Sequence, residues 1–265
     1  MPIITLLTDF GLQDPYVGVM KGVIYKINPN VKIVDITHGV SKFNVREAAF
    51  ILAYSYKYFP PGTIHVVVVD PGVGTARKGL IIKTKKYFFV GPDNGVLISA
   101  AEENGIQAVY FINTENYKEI SYTFHGRDVF APTAAYLSLG IPPSKLGNPT
   151  EKYLPAPYSR PSIVEKGTIS GEIIYIDGFG NLVTNIPSNL IWKQEIRYGD
   201  LLEVTIRGRR PMKLRLHKAY GETPPGSLLL LINSFNHLEI SMNMGNAANA
   251  LKVKQGEKIT VRKVI

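Results

Sequence analysis

Residues 64–79 read IHVVVVDPGVGTARKG. Apolar, β-branched residues dominate Ile64 to Val69, Asp70 stops the run, and Pro71, Gly72 and Gly74 turn the chain before Arg77. A valine-rich run bounded by turn residues is the pattern of a strand buried on both faces of a parallel sheet. In such sheets ligands bind at the carboxyl ends of the strands. Asp70 and Arg77 therefore stand where a site is expected.

The residues around this run alternate in character. ITLLTDF (4–10) reads as a strand, followed by the helix DPYVGVMKGVIYKI (14–27), with Asp14 able to cap it and Pro15 at its first position. Gly18 and Gly22, one turn apart, predict close packing of that helix on the sheet. Val31 to Ile36 reads as a strand, and Asn44 to Glu47 has the spacing of a capping box before the helix AAFILAYSYKYF. Strands at Leu80–Lys83, Tyr87–Val90 and Ala108–Ile112, with helices near Gly95–Glu102 and Asp128–Leu139, complete residues 1–141. The alternation predicts an N-terminal α/β domain, a mostly parallel sheet flanked by helices.

Six of the 18 prolines then fall between Pro142 and Pro161, and residues 142–166 read as a Pro-rich linker. From 167 to 265, short runs such as GEIIYID, NLVTNI, LLEVTIRG and HLEISM recur at the spacing of a smaller, C-terminal antiparallel β-barrel or sandwich domain.

Composition narrows the chemistry. With 265 residues the chain is about long enough for two domains. No stretch approaches the ~20 apolar residues of a membrane helix, and MPIITLLTDFG carries no charged start or cleavage site, so a soluble, cytoplasmic protein is expected. Cysteine is absent, which excludes disulfides, thiolate metal sites and cysteine nucleophiles. The five histidines are not at ligand spacing, and no metal is expected. A net charge of +9 admits an anionic partner, but the bases are dispersed, and the reading favours solvated faces over nucleic acid. There is no G-x-G-x-x-G after the first strand and no P-loop.

Three polar clusters sit at strand-to-helix joints: Asp9, Asp70 and the group Phe124-His125-Gly126-Arg127-Asp128. Taken singly, each has a structural explanation as a turn or loop residue. Their shared location makes them a candidate site.

TDFGLQDPYVGVMKG (8–22), VVDPGVGTAR (68–77), GPDNGVL (91–97), TFHGRDVFAPTAAYL (123–137), IDGFGNLVTNI (176–186) and INSFNHLEISMNMGNAA (232–248) together resemble the S-adenosyl-L-methionine hydroxide adenosyltransferases. That family hydrolyses S-adenosylmethionine to adenosine and methionine, and is related to fluorinases and chlorinases that use halide. The resemblance implies hydrolysis by in-line attack of water on the ribose 5′ carbon, with S-adenosylmethionine as substrate and no cofactor. An S-adenosylmethionine-binding protein without turnover is the alternative.

By the same resemblance, Asp70, Arg77 and His125 match the family's catalytic Asp-Arg-His triad. Halogenases carry a tyrosine at Asp70 and a halide-contacting serine at Gly126. Asp9 matches the carboxylate on the ribose hydroxyls. Asp14 and Asp177 match groups around the methionine ammonium, and Ser234 one near its carboxylate. Phe179, Asn181 and the backbone around Asn243 match adenine contacts. Phe43 stands where halogenases have a tryptophan, and Phe235 where they have an arginine. A homotrimer with sites between subunits is also implied. For the triad itself, the guanidinium beside Asp70 is expected to lower the carboxyl pKa, leaving His125 closer to the working range of a base.

Overall fold

The computed structural model describes residues 1–264. The chain divides into two compact units, Met1–Pro157 and Tyr158 onward.

In the first unit, strands β1 (Ile3–Thr8), β2 (Lys32–Thr37), β3 (Ile64–Val68), β4 (Gly79–Thr84), β5 (Phe88–Pro92), β6 (Ile106–Ile112) and β7 (Gly147–Pro149) form one sheet, ordered β2-β1-β3-β5-β4-β6-β7. Its helices are α1 (Tyr16–Ile27), α2 (Val45–Ser55), α3 (Ile98–Asn104), α4 (Ala131–Ser138) and the single turn α5 (Pro143–Leu146). Neighbours from β2 to β5 run parallel, β4 is reversed, β6 follows the majority and β7 is reversed again. Five of the seven strands therefore point one way.

All five residues of β3 are buried. Removing such valines from water contributes about 1.5–3 kcal/mol each, which is why this strand sits at the sheet centre. Helix α1 turns Val17, Met20 and Ile24 inward, and Met20 and Ile24 join Ile4, Leu6, Val68, Phe130 and Ala134 in one core.

Two local expectations change. Helix α1 starts at Tyr16 with Pro15 at the cap position and no side-chain cap, so Asp14 is exposed and bonds no helix amide. Gly18 and Gly22 are exposed and have open space where a Cβ would stand, so they do not serve close packing. The Asn44 cap does form: Asn44 Oδ1 accepts from the Glu47 amide at 3.1 Å. The Glu47 carboxylate reaches the Asn44 side chain and the Ser41 amide.

In the second unit, β8 (Ser162–Glu165), β9 (Thr168–Ile176), β10 (Leu182–Pro187), β11 (Leu201–Ile206), β12 (Met212–His217), β13 (Leu228–Ile232), β14 (His237–Met242) and β15 (Lys258–Lys263) follow in order, with short helices α6 (Ser188–Lys193) and α7 (Ala247–Leu251). The order β10-β14-β13-β12-β11-β15-β9-β8, with β9 also paired to β10, closes seven strands into a barrel and leaves β8 outside. Of barrel and sandwich, the chain forms the barrel. One pair, β12 with β13, is parallel because 218–227 carries the chain back before β13 begins. Strand β11 alternates partly buried and buried residues along LLEVTI, and Leu202, Val204, Leu230, Ile240 and Val261 fill the barrel interior.

Candidate active site

The chain leaves β1 toward β2 on one side and leaves β3 toward β4 and β5 on the other, so a crevice opens at the carboxyl ends of β1 and β3. Thr8 is paired with Val68 in register. Asp9 follows one strand directly and Asp70 follows the other by two residues.

Beyond Asp70 the chain folds in tight steps. Val73 N donates to Asp70 O at 3.2 Å, and the Thr75 hydroxyl donates to Gly72 O at 2.7 Å. Arg77 N donates to the same Thr75 hydroxyl at 3.3 Å, returning Arg77 to Asp70. Gly74 has φ +76°, and a Cβ there would lie 2.1 Å from Tyr122 O. Only glycine allows this approach. It lays the 70–77 loop against the segment that carries His125.

Arg77 Nη2 donates to the Asp70 carboxylate and, at 3.0 Å, to His125 Nδ1. Nη1 donates to Lys78 O at 2.8 Å, and the guanidinium lies 5.5 Å from the Phe130 ring centre. The Arg77 and Asp70 side chains are only 10% and 5% exposed. Asp70 Oδ1 and Arg77 Nε are buried without a hydrogen-bond partner.

Burial sets the charge states. It raises the Asp70 pKa above the ordinary carboxylate value, outweighing the opposing pull of Arg77. This reverses the sequence expectation, in which only the neighbouring charge was visible. Burial, then the charge of Arg77, lowers the His125 pKa. A guanidinium is always a donor, so His125 Nδ1 is the acceptor and the neutral ring carries its proton on Nε2.

A cavity of about 390 Å³ is lined by Asp9, Phe43, Asp70, Phe124, His125 and Gly126 among others. Asp9 Oδ2 accepts from the Phe43 amide at 2.8 Å, and Lys42 Nζ donates to the Asp9 carbonyl. This ties the end of β1 to the loop before α2. Phe43 is left-handed at φ +64° and 69% exposed. At Gly126 an added Cβ would lie 3.2 Å from Met20 Sδ and from Phe124 Cε2, so the wall has little room for a side chain. Asp14 does not line this cavity.

The second unit gathers some of its expected residues and separates others. Asp177 Oδ1 accepts from the amides of Phe179 and Asn181, both at 2.9 Å, and Oδ2 from the Asn181 side chain at 2.9 Å. These bonds shape the β9–β10 hairpin and leave Phe179 79% exposed at its tip. Ser234, exposed, lies in the turn before β14, and Asn243, whose side chain donates to Thr223 O at 2.6 Å, lies just after it. They sit at opposite ends of one strand.

Sequence reasoning assigns no individual role to four residues that matter locally. Phe10, Tyr16 and Phe124 form a mutual cluster with ring centres 5.1–5.8 Å apart and line the cavity. Phe10 and Phe124 adjoin Asp9 and His125 in the quoted motifs, which was the available signal. Glu239 is buried inside β14 and accepts from Tyr220 OH, the Ser241 hydroxyl and the Asn233 side chain at 3.0, 2.6 and 2.9 Å. Burial and this carboxylate push the Tyr220 pKa up to about 12. A glutamate in the middle of an apolar strand marks such a site.

Among the described residues, no group of three or more His, Asp or Glu is arranged to hold a metal ion. No described helix is long and apolar enough to cross a membrane.

Comparison with known proteins places this geometry. Residues 4–147 match the model of the SAM hydroxide adenosyltransferase N-terminal domain, and residues 171–260 that of the C-terminal domain. The chain is 35% identical over 267 residues to the (R)-S-adenosyl-L-methionine hydrolase of Salinispora tropica, covering 98% of this chain and 97% of that one. It is 37% identical over 272 residues to the protein of that name from Methanocaldococcus jannaschii, covering 98% and 96%. The fluorinase of an Actinoplanes species is more distant, 29% identical over 291 residues and covering 99% and 98%. A solved structure from Thermotoga maritima, described as an uncharacterized conserved protein, superposes with a TM-score of 0.91 at 44% identity, covering 98% of this chain and 99% of that one. With both of its parts matched in order along nearly the whole sequence, this chain belongs to the SAM hydroxide adenosyltransferase family.

Proposed function

We propose that this protein hydrolyses S-adenosyl-L-methionine to adenosine and L-methionine, by in-line attack of water on the ribose 5′ carbon. The observation that carries the reading is the chain Asp70–Arg77–His125 at the end of β3, in which the buried Asp70 Oδ1 has an unused acceptor site. The names of the relatives in Salinispora and Methanocaldococcus support it, and their (R) prefix brings the (R) sulfonium form into the proposal.

The chemistry suits these groups. The sulfonium leaves as a neutral thioether, so no acid is required. The attacking water must lose a proton, and one proton is released for each substrate and water consumed. Asp70, with its raised pKa, is a stronger proton acceptor than an ordinary carboxylate. Arg77 orients it, and His125 offers Nε2–H to the water. Positioning supplies up to about 7–11 kcal/mol of barrier reduction, and general-base assistance about 10²–10⁴ in rate.

In this proposal Asp9 holds the ribose hydroxyls and Phe43 faces the nucleoside. Asp14, Asp177 and Ser234 meet the methionine moiety, and Phe179, Asn181 and Asn243 the adenine. The last five of these belong to the second unit, and the reading includes a homotrimer in which a neighbouring copy supplies them. A cytoplasmic location completes it.

The test is to incubate the purified protein with each sulfonium epimer in H₂¹⁸O, with and without chloride, and identify products by mass spectrometry. Adenosine with one heavy oxygen, together with methionine, is expected. Intact bound substrate would overturn hydrolysis, and a 5′-halo nucleoside would overturn water as the nucleophile.

A further inference from the structure

A second cavity, of about 310 Å³, lies beside the candidate catalytic cluster in the first unit. Its walls include Arg77, His125, Thr75 and Val129, and the exposed residues Ala76 and Thr114 stand among its lining. Asp70 lines the first cavity and not this one, whereas Arg77 lines this one and not the first. His125 lines both. The Asp70–Arg77 pair is thus a partition between two spaces, with the imidazole spanning it.

We infer that the second cavity is a solvent port, through which water reaches the Asp70–Arg77–His125 cluster while substrate fills the first cavity. The inference rests on the hydrolase reading. Its volume is ample, since water occupies about 30 Å³ per molecule in the liquid. Its lining is mixed: the Arg77 guanidinium, the Thr75 hydroxyl and His125 supply hydrogen-bonding groups that keep water in place, while Val129 and Ile112 form an apolar floor. The first cavity carries Asp9, Phe43 and Phe124 and is the space a nucleoside would occupy. Water arriving there after substrate would have to pass it, whereas water in the second cavity needs only to pass the imidazole.

The consequence is that nucleophilic water exchanges with bulk solvent after the substrate complex has formed. Enzyme and S-adenosylmethionine carrying a ¹³C-labelled ribose are mixed briefly in ordinary water, then diluted into H₂¹⁸O with excess unlabelled adenosine to block rebinding, and quenched within one turnover, and only the ¹³C-containing adenosine is counted. The wild-type protein should place ¹⁸O in most of its first-turnover adenosine. Ala76→Trp and Thr114→Trp, each filling the cavity from an exposed position, should lower that fraction at least threefold, with unchanged affinity for S-adenosylmethionine.

First-turnover adenosine containing only ¹⁶O from the wild type would overturn the port, because the water would then be trapped before the complex closes. Equal ¹⁸O incorporation in wild type and both tryptophan variants would also overturn it. Absence of any ¹³C-containing adenosine would instead overturn the hydrolase reading itself, a separate outcome.

Discussion

Nη2 of Arg77 lies 3.0 Å from Nδ1 of His125, so the ring nitrogen facing the guanidinium is the one without a proton. The same Nη2 also donates to Asp70. One nitrogen, with two hydrogens, thereby fixes the tautomer of an imidazole and the orientation of a carboxylate.

Replacing that carboxylate tests its role directly. Asp70→Asn keeps the size of the side chain but removes the proposed proton acceptor. Turnover should fall by about 10²–10⁴, with a much smaller change in the dissociation constant for S-adenosylmethionine. Wild-type kcat in this variant would remove Asp70 from the chemistry.

The pH profile follows from the directions of the two shifts. Asp70 is raised above the ordinary carboxylate value and His125 lowered below the ordinary imidazole value. In the proposed mechanism both must be unprotonated, the first to accept a proton and the second to accept from Arg77, so activity is lost as pH falls. The plot of kcat/KM should be level at neutral pH, with an acid limb above the ordinary carboxylate value and below the ordinary histidine value. That limb belongs to the coupled pair. An acid limb at or above the ordinary histidine value would contradict the assigned charge states.

Loop geometry gives a third test. Gly74→Ala would set a Cβ 2.1 Å from Tyr122 O at φ +76°. We expect a loss of about 1–3 kcal/mol in stability together with a fall in kcat, because Arg77 and His125 are brought together by this contact. Gly62, at φ +88° with open space around it, is the control. Gly62→Ala should lower the melting temperature less and leave kcat unchanged.

His65 supplies a stability prediction away from the site. It is fully buried among the rings of Tyr56, Phe59, Tyr87 and Phe89, and burial lowers its pKa to about 3. The unfolded chain binds a proton near 6.5 and the folded chain does not, so unfolding takes up a proton between those values. Stability is full above pH 6.5 and falls as pH drops toward 3, by about 1.4 kcal/mol per pH unit from this residue. Urea unfolding from pH 4 to 8 should show this slope in the wild type and a shallower one in His65→Gln.

Much of this architecture was legible in the linear chain. The valine run of β3, the Asn44 cap and the alternation of the first unit are local patterns, governed by side-chain periodicity and backbone hydrogen bonding within a few residues. The Asp14 cap does not form because cap chemistry depends on the backbone path into the helix, and Pro15 takes the cap position. Gly18 and Gly22 had the spacing of packing glycines, but spacing cannot tell which face of a helix meets the sheet.

The residue types of the candidate cluster, and their place at strand ends, were set by the sequence. Their mutual geometry was not, because Asp70 and His125 are 55 positions apart and meet only through Arg77 and the close approach of Gly74 to Tyr122. The sign of the Asp70 shift needed the fold as well. A neighbouring arginine can be read from seven residues of sequence, but desolvation depends on everything that packs around the pair, and here it is the larger effect.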